Sequence, residues 1–223
     1  MSLFDVIVDT QKQQKMSQKI YGVVIGIVSN NKDPEKLGRV KVKFPWLSDN
    51  DESYWARIAT PMAGPKRGIY FIPEIDDEVL VVFEHGDLRF PYILGALWNV
   101  KDIPPPEAKQ DGKNNIRLIK SRSGHIISFD DTNGQENIEI LDKTKSNSIK
   151  VDTKSNTITI KTDKDIKLSA PRGVIQLDAH KIKINSTDTT DITAVADMNI
   201  KATGKDANTI IKSGTGKAKI CLN

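Results

Sequence analysis

From Ile149 to the end of the chain, short apolar pairs recur. Ile149/Val151, Ile158/Ile160, Ile166/Leu168, Ile175/Leu177, Ile182/Ile184, Ile192/Ala194, Met198/Ile200, Ile210 and Ile220/Leu222 follow one another at intervals of 6 to 12 residues. Asp, Asn, Lys, Ser, Thr and Gly fill the gaps, so each unit reads as one short strand and one turn. Alternation of period two puts the apolar side chains of a unit on one face. A strand with two such side chains buries too little surface to offset its own ordering entropy, so the stripe calls for partners. Identical chains wrapped about a common axis pool their stripes into one core. The repeat therefore predicts an intertwined homotrimeric β-helix over residues 143–223. Its expected core is Ile149, Val151, Ile158, Ile160, Ile166, Leu168, Ile175, Leu177, Ile182 and Ile184. At a strand spacing of ~4.8 Å its length is roughly 45 to 50 Å.

The rest of the 223-residue chain has a different character. All aromatic residues but Phe129 lie at or before Trp98, and all prolines but Pro171 at or before Pro106. Large rings belong in a compact core, whereas a narrow fibre has little interior for them. Residues 101–115, KDIPPPEAKQDGKNN, read as an extended, semi-rigid linker. Between residues 20 and 100 the strand signals are dense: GVVIGIV, GRVKVKFPW, YWARIATPMAG, GIYFIP, DEVLVVFEHGD and PYILGALWN. Val40, Val42 and Phe44 alternate with Lys41 and Lys43, as in an antiparallel sheet with one buried face. Five or six short strands in about 80 residues predict a small barrel of the OB type. Residues 116–142 continue the β pattern as a hairpin transition, with turns at Ser123-Gly124 and Asn133-Gly134. Residues 1–19, with Leu3, Phe4 and Ile7 ahead of a Gln/Lys-rich stretch, form a short helix or a disordered arm. The fold class is thus all-β: an N-terminal OB-fold barrel followed by a C-terminal intertwined trimeric β-helix.

Composition narrows the functional classes. Cys221 is the single cysteine, which rules out an intrachain disulfide framework or a multi-thiolate zinc site within one chain. No apolar run approaches the ~18 residues of a membrane span, and Asp5 and Asp9 stand where a signal peptide is basic, so cytoplasmic synthesis is expected. The net charge of +4 divides into +7 from Lys143 onward and −3 before it. Solvated lysines explain that excess as readily as a phosphate-binding face does.

The order of these motifs resembles the layout of contractile-injection spikes. The chain is similar to baseplate assembly protein V of contractile phage tails and to the barrel and needle portion of valine-glycine repeat protein G of type VI secretion. GVVIGIV at 22–28, LGRVKVKFPW at 37–46, YWARIATPMAG at 54–64, IPEIDDEVLVVFEHGDLRFPYILGALWN at 72–99 and SGHIISFDD at 123–131 carry the resemblance. It implies a homotrimeric, non-enzymatic spike in the baseplate of a virion or injection system. Its implied partners are a hub protein, inner-tube or baseplate proteins and, transiently, the target membrane. It also implies that Lys219, Ile220, Cys221, Leu222 and Asn223 form a tip that seats a sharpening protein of the PAAR (proline-alanine-alanine-arginine repeat) type. Three departures stand out. Asp76 occupies a position where the family turn has glycine. The hub domain of the type VI protein is expected to be a separate polypeptide here. The linker has no room for the muramidase that some phage spikes carry.

Every candidate for chemistry has a structural reading beside it. Glu74, Asp76, Asp77 and Glu78 resemble acid/base material but precede a strand and suit a turn; Asp130 and Asp131 do likewise. His85 and His125 sit beside glycines with no second ligand at metal spacing. His180 shares parity with Ile182 and Ile184, so three copies would converge on the axis and offer imidazoles to a metal ion. Some needles of the family bind iron through His-x-His, but position 182 is Ile, so half of that set is missing. No cofactor is therefore expected beyond a possible axial ion at His180. Cys221 has the opposite parity and reads as a surface thiol. The alternative function is an OB-fold module binding nucleic acid or glycan. The needle half lacks stacking aromatics, so no nucleic-acid partner is expected.

Overall fold

A computed structural model describes residues 19–47, 51–204 and 209. The chain divides into two units, Met1–Asp165 and Ile166–Asn223. Among its described residues the first carries twelve strands: β1 (Val24–Asn30), β2 (Lys41–Lys43), β3 (Arg57–Ile58), β4 (Ala63–Gly64), β5 (Arg67–Gly68), β6 (Glu78–Phe83), β7 (Pro91–Ala96), β8 (Ile116–Lys120), β9 (Ile126–Asp130), β10 (Asn137–Leu141), β11 (Ser148–Asp152) and β12 (Thr157–Lys161). Among the described residues the helical elements are two three-residue 3-10 turns, Glu84–Gly86 and Pro106–Ala108. No described helix is long and apolar enough to cross a membrane.

The first sheet runs in the order β2-β1-β6-β7-β3. Its pairings are antiparallel except β3 with β7, which is parallel. Val40 and Ala56, beside β2 and β3, exchange both backbone hydrogen bonds at 3.1 and 2.7 Å. That pair brings the two edges of the sheet together, and the strand order around the resulting ring is that of an OB barrel. The interior follows from period-two alternation: Val40, Val42 and Phe44 from one segment meet Val79, Val81 and Phe83 of β6, with Val28, Ala56 and Ile93 between them. Gly26 leaves room for this packing, since a Cβ there would sit 3.2 Å from both Val42 Cβ and Val81 Cγ2. The expected strand over GIYFIP is reduced to the end of β5. Residues 69–73 leave the ladder after Ile69 N–H bonds Met62 O, and Pro73 has no N–H to offer.

One polar group in the barrel is buried by design of the chain path. The Ser53 hydroxyl accepts the Val42 N–H at 3.0 Å and donates to Tyr54 O at 2.6 Å. Ser53→Ala leaves a buried N–H without a partner and is expected to lower barrel stability by about 1–3 kcal/mol. Urea unfolding followed by tryptophan fluorescence measures this loss.

The second sheet, β12-β11-β10-β9-β8, is a five-stranded antiparallel meander. It runs past residue 142 to Lys161, so Ile149, Val151, Ile158 and Ile160 sit in an intrachain ladder with β10. Tight polar turns make this possible. The Asp142 carboxylate takes hydrogen bonds from Thr144 Oγ1 and from the backbone and side chain of Asn147. Burial pushes the Asp142 carboxyl up, but these donors outweigh it and hold the group at about 2. At Pro105 the linker is extended (φ −54°, ψ 131°), and the chain then turns through Pro106–Ala108. There Glu107 pairs with Lys120 of β8 at 2.8 Å. In the second unit, residues 166–204 carry no strand, and every described side chain is exposed.

Candidate functional site

The acidic cluster before β6 is built as a turn. Asp77 Oδ2 accepts the Glu74 N–H at 2.8 Å, Glu78 Oε2 accepts Asn99 Nδ2 at 3.1 Å, and Glu74 pairs with Arg122 at 3.0 Å. Asp76, at φ 74°, donates its N–H to Val28 O at 2.8 Å. The aspartate therefore adopts the left-handed conformation that glycine adopts without cost. Asp76→Gly is expected to stabilise the barrel by about 0.5–1 kcal/mol, read as a higher midpoint in thermal unfolding. Asp130 and Asp131 also serve local structure. Asp130 Oδ1 accepts the Thr132 N–H at 2.9 Å, and bonds from Thr132 lower its carboxyl; Asp131 pairs with Arg117. His125 Nδ1 accepts the Lys143 N–H at 3.3 Å, while His85, at φ 49°, and His180 are exposed. Among the described residues no three His, Cys, Asp or Glu side chains cluster to hold a metal ion. Cys221 and the tip residues Lys219–Asn223 lie outside the described residues.

Among the described residues of the first unit two uncovered surfaces stand out, and the first is one face of the second sheet. The register aligns Ile119, Ile127, Ile140, Ile149 and Ile160 in one row across all five strands. It aligns Arg117, Phe129, Ile138, Val151 and Ile158 in the next. Nine of these ten side chains are apolar, and each of the nine is exposed in the single chain. The reverse face carries Leu118, Ser128, Glu139, Lys150 and Thr159 in register, polar from β9 to β12, and beside that row it carries Ile116, Leu141 and the buried Ile126. Four of the expected core residues are thus brought together. The other six, Ile166, Leu168, Ile175, Leu177, Ile182 and Ile184, are exposed in the second unit. The sequence reading passed over Ile119, Ile127, Phe129, Ile138 and Ile140, although Ile138 and Ile140 repeat the same alternation eleven residues before Ile149.

The second surface is a cleft of about 880 Å³ on the barrel, walled by the β4–β5 hairpin, the segments around Arg39 and Trp55, and Phe90. Tyr54, Tyr70, Phe71 and Phe90 are exposed there, and no carboxylate lines it. Its Arg39 wall is held rigidly. Arg39 Nε and Nη2 grip both oxygens of Asp33 at 2.9 and 2.8 Å, and Asp33 also accepts the N–H groups of Glu35, Leu37 and Arg39. The guanidinium and these N–H groups hold the Asp33 carboxyl far below the usual carboxylate range. A depressed folded value means that this contribution is complete above the unfolded value near ~3.9 and is lost as pH falls through the folded value. Acid unfolding of Asp33→Asn is therefore expected to be less steep below about pH 4 than that of the parent, measured by circular dichroism.

Comparison with known proteins decides what kind of barrel this is. Residues 24–98 match the family described as the type VI secretion system/phage-baseplate injector OB domain. Part of the chain is similar to VgrG proteins. It is 30% identical over 137 residues to the actin cross-linking toxin VgrG1 of Vibrio cholerae, covering 58% of this chain and 12% of that protein. It is 32% identical over 111 residues to the spike protein VgrG3 of Vibrio cholerae, covering 47% of this chain and 11% of that protein. It is 32% identical over 124 residues to the spike protein VgrG5 of Pseudomonas aeruginosa, covering 52% of this chain and 16% of that protein. The matches thus span about a tenth to a sixth of these relatives.

Proposed function

We propose that this chain is the central spike of a contractile injection apparatus, acting as a homotrimer. Three copies of the second sheet close their apolar faces on one another, and residues 166–223 of the three chains wind together as the needle. The barrels dock on the hub of the baseplate, and Lys219–Asn223 seat a PAAR-type tip protein. The work is mechanical: sheath contraction drives the needle through the target envelope, and a closed ladder with a shared core resists unfolding on the way. An axial ion at His180 remains compatible with this arrangement but is not required by it.

The observation that carries this reading is the pair of uncovered apolar rows beside an injector OB domain. Nine half-covered side chains, at about 1 kcal/mol each for the part still exposed, offer on the order of 10 kcal/mol per chain to an assembly that covers them. Native mass spectrometry tests the proposal. A species of about three times the 24.8 kDa chain mass is expected. A monomer at micromolar concentration would contradict the spike and favour an OB-fold binding module for nucleic acid or glycan.

A further inference from the structure

The barrel cleft presents a definite chemical demand. Its rings are uncovered, and Lys66 and Arg67 on the hairpin enter no ion pair among the described residues. Arg39 and Arg89 are neutralised by Asp33 and Asp87. A suitable occupant is an apolar segment that brings negative charge and no positive charge of its own. The chain contains such a segment: Leu3-Phe4-Asp5-Val6-Ile7-Val8-Asp9 has five apolar side chains, two carboxylates and no cation.

The path of the chain brings this segment within reach. Ile20 N–H bonds Gly86 O at 2.9 Å, and Lys19 Cβ lies 3.1 Å from where a Gly86 Cβ would be. The chain is thus pinned at the 84–90 turn, the same turn that contributes Arg89 and Phe90 to the cleft. Thr10 to Gln18 supply a tether of nine residues that spans up to ~30 Å, about the diameter of a small domain. We propose that Leu3–Asp9 docks in the cleft of its own barrel, placing Phe4 and Ile7 against the exposed rings and Asp5 and Asp9 near Lys66 and Arg67. A short tether keeps the segment at millimolar effective concentration, which favours it over a segment arriving from another molecule. This inference does not depend on the spike reading and holds for a monomer or a trimer.

Two measurements on the full chain test it. In a Cys221→Ser background, Phe4→Cys with Met62→Cys should form a disulfide within one chain under mild oxidation, whereas Phe4→Cys with Ser155→Cys should not. A bond between two chains would assign the cleft to a second copy, and equal bonding at both positions would remove the preference; either result overturns the proposal. The second measurement needs no cysteine. At ~1 mM effective concentration and an intrinsic Kd of ~100 µM the cleft is filled about nine-tenths of the time, so acetylation of Lys66 should be about tenfold slower than in Phe4→Asp/Ile7→Asp. Peptide mass spectrometry reads the rates. Equal rates in the parent and the double variant, with both barrels folded by circular dichroism, would mean that the segment does not cover the cleft.

Discussion

Ile149→Asp is expected to abolish the trimer while leaving the barrel folded, and Lys150→Thr, its neighbour on the reverse face, to leave the trimer intact. Ile149 lies within an apolar row, opposite Ile140 on one side and Ile160 on the other. In the single chain it is 44% exposed, so a carboxylate there costs the isolated sheet little. In the proposed trimer the same position is covered, and three carboxylates are brought together in an apolar core. Each costs several kcal/mol even after relaxation, and their repulsion adds to it, so the total is on the order of 10 kcal/mol per trimer. Lys150 points to the reverse face, where it lies beside Glu139 and Thr159, and substitutions at such solvated positions usually stay within about 0.5 kcal/mol. Native mass and SDS resistance on unboiled gels distinguish the two variants. Trimers of equal resistance would mean that this face is not the one buried in assembly.

Ile93→Ala is expected to be the most damaging conservative change in the barrel. Ile93 is fully buried, sits in β7 opposite Val81, and accepts the Ala59 N–H on its carbonyl at 2.8 Å. Truncation removes three carbons from a site walled by strands on opposite sides of the ring, which cannot collapse inward without breaking ladder bonds. The loss is expected at about 2–5 kcal/mol, a large share of the stability of a domain this size. Thermal unfolding followed by tryptophan fluorescence should show it, with trimer mass unchanged at low temperature. Because Ile93 and Ile149 belong to different sheets, the first variant should lower the melting point without dissociating the chains, and the second should do the reverse.

Alternation along the chain was enough to establish which side chains share a face. Val40, Val42 and Phe44 are buried and Lys41 and Lys43 are not, and Ile149, Val151, Ile158 and Ile160 share one face, as period two requires. This information is local, because successive residues of a strand point to opposite sides whatever the strand pairs with. The proline- and aromatic-rich half was likewise legible as a barrel, since turn residues at short intervals leave room only for short strands. Asp76 shows the limit of reading by resemblance: an aspartate takes the left-handed conformation that the resemblance reserves for glycine, and its N–H bonds Val28 O outside the turn.

What only the tertiary structure decided is which strands meet. The Val40–Ala56 pair that joins the sheet edges, the parallel contact of β3 with β7, and the two apolar rows across β8 to β12 all depend on register between separate segments. A linear pattern of inward and outward residues is compatible with many such registers. The cleft was invisible for the same reason. Its walls come from residues 37–39, 54–72 and 89–90, which no periodicity connects, and they are brought together by closure of the barrel and by the Arg39–Asp33 grip. Orientation of a side chain is fixed within a few residues of backbone, whereas a surface assembled from three loops exists only once the long-range pairings have been made.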